Sequence, residues 1–290
     1  MIRTNEAHLV ESAALVEVHP HHNPGPYGVA SDGVPFCLPG SGGVVYNVRV
    51  GDSAYGWVAD HIEPGVSALN PDNDQNLCLQ NLVCVGNWAT VVTGDAKGEK
   101  GTVVGKHGGA EHTLIDFPRS TMEKLVYGDK IMLRLHGKGL IFEDYPGIRT
   151  LCISPRLLKI MGLSEGNGKL IVPVVARVPP QFMGSGLGMH SERSDYDIMT
   201  ADRKTLADHG LDRLRMGDFV ALMDHDNRFG RCLRRGAITI GVIGHGDCHM
   251  AGHGPGVVSL FTSPEPVIEP VIDADANVAI RLGLREDWKK

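Results

Sequence analysis

The stretch ITIGVIGHGDCHMAGHGPGVVSL, residues 238–260, decides how the rest of the chain is read. Two runs rich in β-branched residues, AITIGVIG (237–244) and GVVSLFT (256–262), bracket a segment of Gly, His and Asp. Apolar runs of this length bounded by Gly and Pro read as strands. The same signature recurs outward from it in GGVVYNVRV (42–50), LCLQNLVCV (77–85), WATVVTG (88–94), KGTVVGK (100–106), DKIMLRL (129–135), KLIVPVVARV (169–178) and FVALMD (219–224). Gly, Asp, Asn or Pro flanks each run, at the spacing of barrels and sandwiches. The fold expected is mainly β, barrel- or sandwich-like, with a few short helices. Ser154-Pro155 is an N-cap with Pro at the first helical position, so RLLKIMGL after it reads as a short helix. Residues 200–215 carry Leu206, Leu211 and Leu214 as a helical stripe that Gly210 breaks, and ANVAIRLGL (276–284) reads as a last helix.

An internal echo links YGDKIMLRLH (127–136) to MGDFVALMDH (216–225). It reads either as a common Gly-Asp turn feeding a buried strand or as two related halves. A boundary after the 144–147 turn suits both, giving a β-rich N-terminal part, 1–150, and a β-rich C-terminal part with short helices, 151–290.

The chain has 290 residues, 42% hydrophobic and 21% charged, enough to bury a core. The 37 Gly and 17 Pro favour many short elements. A net charge of −6 argues against nucleic acid or an anionic membrane as partner. No apolar run reaches membrane-span length, and the N-terminus does not read as a signal peptide. The six cysteines show no CxxC pair, which points to a reduced, cytoplasmic protein.

The chemistry is expected in three places. If strand 237–244 continues, His245, Asp247 and His249 share one face, with neighbours roughly 6–7 Å apart. The Gly-rich turn after them folds His253 back, and these four residues can converge on a divalent ion, zinc or similar. Cys248 would point away. A structural turn is the competing reading, and the Gly residues around His253 exclude a zincin helix. Second, Asp224 and Asp226 end an apolar strand face as a carboxylate pair, with Arg228 and Arg231 following as substrate-binding cations, and a charged hairpin with surface salt bridges is an equal reading of the same residues. Third, His61 and Glu63 share a face at the end of a strand, with Asp60 opposite, and can supply a general acid or base. The histidines of HPHHNPGP (19–26), His107 before Gly108 and Gly109, and His112 read as covering loops, and Asp72 and Asp74 mimic the start of a calcium loop without completing one.

Taken together, DHIEPGVS (60–67), DNRFGR (226–231) and AGHGPG (251–256) resemble an uncharacterised prokaryotic family labelled domain of unknown function 4438. That resemblance implies a β-rich protein and brings no catalytic residues with it. His107-Gly-Gly109 and Gly246-Asp-Cys-His249 are also similar to motifs of the metal-dependent acetamidase/formamidase family. No Gln-Gly-Asp-Gly-Glu follows His249, and Ala110 and Glu111 replace the Asn/Asp expected there. What this second resemblance implies is hydrolysis of a small amide. The expected function is therefore metal-dependent hydrolysis of a small amide or carboxylate-bearing substrate. The alternative is a non-catalytic β-rich protein that binds a small molecule or forms a homo-oligomer. An enzyme should bring 60–63, 224–231 and 245–253 into one cleft.

Overall fold

The strand Glu11–Val18 pairs with both Lys130–His136 and Gly65–Leu69, and so closes a ring. Between them run Trp88–Val91, Lys100–His107 and His112–Asp116, every neighbour antiparallel, giving a six-stranded barrel. Val44–Val45 adds a short strand outside Gly65–Leu69. Closure leaves no edge among the six. Inward residues such as Val16, Val66, Val103, Ile131 and Leu133 fill the interior and are fully buried. The computed structural model describes residues 2–21 and 27–285.

A second sheet follows in the order Arg149–Thr150, Gly256–Ser263, Cys232–Ile243, Phe219–Asp226 and Ala176–Val178. Asp195–Asp197 lies on the same edge of Gly256–Ser263 as Arg149–Thr150, further along that strand. Ser164–Gly166, Lys169–Val174 and Ile268–Ile272 form a small third sheet, and Gly28–Val29 pairs with Pro35–Phe36. The mainly β expectation holds. The barrel strands all precede residue 137, the strands of the second sheet all follow residue 148, and one apolar cluster spans both. Val50, Val85, Val104 and Leu114 pack there with Phe219, Val258 and Phe261.

Local differences have local causes. The run LCLQNLVCV does not form a strand, because Asn73–Leu82 is a helix. Asp72 supplies its cap by accepting from Gln75 N at 2.9 Å, so the calcium-like Asp72 and Asp74 are helix-start residues. Asn76, Leu79 and Gln80 are its buried face, a three-to-four-residue period masked by the apolar run. Ser154 caps Pro155–Ile160 as the sequence indicates. Gly210, at φ 68°, splits Arg203–Asp208 from the 3₁₀ turn Leu211–Arg213.

The Gly-Asp echo is a turn. Asp129 accepts from Val126 N at 3.0 Å, and Asp218 from Arg215 N at 2.7 Å. Gly128 and Gly217, just before them, are left-handed. The device occurs a third time, where Asp52 accepts from Arg49 N at 2.8 Å beside left-handed Gly51. Its recurrence is local turn chemistry. No disulfide joins the six cysteines, and no helix among the described residues is long and apolar enough to cross a membrane.

Candidate metal centre

Asp195 and Asp197 are two apart on one short strand, so they share a face while Tyr196 turns into the core. The register sets Asp197 opposite Gly256 and Asp195 opposite Val258. Strand Cys232–Ile243 delivers His245 to the same place, fully buried. His245 Nδ1 donates to Gly246 O at 2.8 Å, which leaves Nε2 as the available ligand atom. That atom stands 2.7 Å from Asp195 Oδ2 and 3.7 Å from Asp197 Oδ1. His245 Nε2 and Asp195 Oδ2 are nevertheless both buried without a completed hydrogen bond. Their distance suits one and their alignment does not. Asp195, Asp197 and His245 thus form one group able to hold a metal ion.

The barrel side contributes His61 and His107. His61 sits at φ 51°, a strained left-handed conformation for a residue with a Cβ. Its N–H donates to Asp247 O at 2.9 Å. Its Nδ1 lies 3.2 Å from Asp60 Oδ2, and its Nε2 lies 3.1 Å from His253 Nδ1 and 3.7 Å from Asp197 Oδ2. His253 Nδ1 is in turn 3.0 Å from that same Asp197 oxygen. His61, His253 and Cys248 make a second group able to hold a metal ion. Burial opposes protonation of His61, but the Asp197 and Asp60 carboxylates outweigh it and push the imidazole up to about 12. Burial pushes the Cys248 thiol up to about 11. For His245 burial lowers the value and the Asp195 charge more than restores it, a net rise.

Glu63 is fully buried and serves a different histidine from the one the sequence assigns to it. The turn at His61 sends it to His107 Nδ1, at 2.5 Å, and to His112 Nδ1, at 2.9 Å. It also accepts from Gly42 N at 2.6 Å and Ser67 Oγ at 2.5 Å. Burial raises its pKa, and the charge of His112 with the bonds from both histidines takes it well below the ordinary range. His112 Nε2 continues to His19 Nδ1 at 3.0 Å, so two residues read from sequence as loop histidines belong to a chain that runs from buried Glu63 to half-buried His19. His22 lies outside the described residues. Burial and the neighbouring His245 hold His107 below its usual value.

Cavities of about 450 and 370 Å³ share His61, His107, Gly108, Gly109 and His253 as lining. Tyr27, Phe36, Leu38 and Met250 give the first apolar walls. His190, Arg193, Ser194 and Glu111 give the second a polar one.

Segments 60–63 and 245–253 therefore meet, and 224–231 does not join them. Asp224 lies at φ 57° where a bulge interrupts the strand pairing, which ends its alternation with Asp226. Its carboxylate accepts from Gly236 N at 2.7 Å, while Asp226 pairs with Arg228 at 2.8 Å. Asp226 and Arg228 are an ion pair on a hairpin, apart from the segments that meet. Arg231 is buried and donates to Gly186 O at 3.0 Å and Ser194 O at 2.5 Å. Carbonyls take its two terminal nitrogens, so Arg231 positions the segment leading to Asp195 and lines neither cavity. The alternate face expected beyond residue 243 also fails, because the strand stops at Ile243. Asp247 accepts from Thr200 Oγ1 at 2.6 Å and pairs with Arg203. His249 packs on Phe36, ring centres 5.4 Å apart. Cys248, expected to point away, is the residue of that trio that reaches His61 and His253.

Gly256 makes the centre sterically possible. A Cβ there would overlap Asp195 Oδ2 and His245 Nε2. Gly256→Ala should weaken metal binding by roughly 10–100-fold, the range for losing a ligand's orientation. Competition with a chromophoric chelator measures it, and unchanged affinity would mean the pair does not bind the ion.

Comparison with known proteins gives two family matches. A family model described as "Domain of unknown function (DUF4438), N-terminal" matches residues 27–159, and its C-terminal counterpart matches 160–282. A solved structure, "Crystal structure of TM1086", is 44% identical, with a TM-score of 0.92 over 96% of this chain and 98% of that one. No curated protein matches. None of these matches is an acetamidase or formamidase. His249, which carried half of that likeness, is exposed, packs on Phe36 and belongs to neither group able to hold a metal ion, so the likeness and its amide preference are withdrawn.

Proposed function

The chain belongs to the DUF4438 family through both its N-terminal and C-terminal domains, and from its buried cluster we propose that it is a metal-dependent hydrolytic enzyme. The observation that carries this reading is the misaligned pair His245 Nε2 and Asp195 Oδ2, 2.7 Å apart and without hydrogen bonds. A buried carboxylate facing an imidazole without an aligned hydrogen bond suits a shared cation. Asp195, Asp197 and His245 would hold a divalent ion of the zinc class, which would lower the pKa of a bound water toward neutrality. His107, its Nδ1 occupied by Glu63, offers its other nitrogen to take a proton. Arg193 on the cavity wall would receive an anionic group of a small carboxylate-bearing substrate.

Elemental analysis of tag-free protein, before and after reconstitution with Zn(II) or Mn(II), tests the reading beside His245→Ala. At least one equivalent is expected in the parent and a loss in the variant. No metal retained and none recovered would sink it. Bound metal without turnover across a panel of small carboxylate-bearing esters and amides would favour the non-catalytic small-molecule-binding alternative.

A further inference from the structure

We propose that Asp197 bridges two metal positions, so that the centre is dinuclear. This rests on the reading above, which needs one ion only.

The two oxygens of Asp197 are divided between two groups of donors. Oδ1 faces His245 Nε2 at 3.7 Å, within the group that Asp195 completes. Oδ2 faces His253 Nδ1 at 3.0 Å and His61 Nε2 at 3.7 Å. Donors bound to one ion at about 2.0–2.2 Å stand about 2.8–3.6 Å from one another in tetrahedral or octahedral arrangements. His61 Nε2 and His253 Nδ1, at 3.1 Å, fit that spacing, as does the 3.0 Å pair; the two 3.7 Å pairs lie just beyond it and the 2.7 Å pair of His245 and Asp195 just short of it. Asp60 on Nδ1 of His61 directs Nε2 inward, as carboxylates behind metal-binding histidines do. Cys248 Sγ lies within the same group and offers a further donor. Two ions sharing a carboxylate stand about 3.5–4 Å apart and can clamp one reacting group from both sides.

The positions differ in access. His245 lines neither cavity and Asp195 lines only the smaller one, whereas His61 and His253 line both. Through the larger cavity, the second ion is therefore the one that an entering substrate meets first.

The test is metal stoichiometry and magnetic coupling on the full-length protein. The apo form, dialysed against excess Mn(II), is expected to hold two equivalents and to give the multiline EPR spectrum of a coupled Mn(II) pair. His253→Ala, with its fold checked by circular dichroism and Tm, should drop to one uncoupled equivalent. His253→Gln serves if the alanine variant does not fold. One equivalent in the parent, unchanged by His253→Ala and lost in His245→Ala, overturns the dinuclear centre and leaves the single-ion reading intact. No bound Mn(II) or Zn(II) overturns both.

Discussion

Asp197→Ala is expected to empty both metal positions at once, an effect that loss of no other ligand should match. Roughly 10–16 kcal/mol of zinc binding spread over four ligands gives about 2.5–4 kcal/mol for each, or roughly 10²–10³-fold in affinity. A bridging residue exacts that loss twice. The backbone at this position is held independently of the side chain: Asp197 N donates to Ser185 O at 2.9 Å, and its carbonyl accepts from Gly184 N at 2.8 Å. The variant should therefore fold with an intact strand and an empty centre. Titration with Zn(II) against a competing chelator reads the result. A variant that retains either position within about tenfold of the parent affinity would show that Asp197 is not shared.

Glu63→Leu is expected to cost stability more than any other single change near the centre. The glutamate is the common acceptor of four donors, namely Gly42 N, Ser67 Oγ, His107 Nδ1 and His112 Nδ1. Leucine fills similar space and accepts from none of them. Removing one member of a buried charged network costs about 3–5 kcal/mol. At about 2–4 °C per kcal/mol for domains of 150–250 residues, Tm should fall by about 6–20 °C. Differential scanning calorimetry of metal-free protein separates this from lost ligand binding. A fall under about 3 °C would mean that solvent replaces the carboxylate without cost.

The sequence announces most of the framework because half-buried strands alternate visibly. Lys100–His107, Lys130–His136 and Phe219–Asp226 stand close to where their apolar runs place them. Glu11–Val18 is less visible, since only Val16 and Val18 are buried and its first half is exposed. The helix Asn73–Leu82 is disguised by a run of apolar residues whose meaning depends on the cap at Asp72.

The centre is legible only where chemistry concentrates along the chain. His61, His245 and His253 stand out because each lies in a dense polar cluster beside a strand. Asp195 and Asp197 do not stand out in the sequence, and their one signal is the Asp-Tyr-Asp alternation. Arg231 shows the limit of reading charge as function: an arginine after a strand looks like an anion receptor, and backbone carbonyls claim it instead. Turn geometry decides the remainder. The left-handed His61 exchanges the roles of Asp60 and Glu63, and the end of the strand at Ile243 exchanges those of Cys248 and its neighbours.

His61 and His253 are 3.1 Å apart in space and 192 positions apart along the chain. Asp195 reaches Gly108 N, 87 positions away, at 2.6 Å. Contacts of such separation close long loops and come late in folding. During synthesis His61 and His107 leave the ribosome with the barrel, well before the residues that complete their site. A nascent chain thus carries no finished pocket with which to capture an ion, and bound metal would serve as a stamp of completed folding.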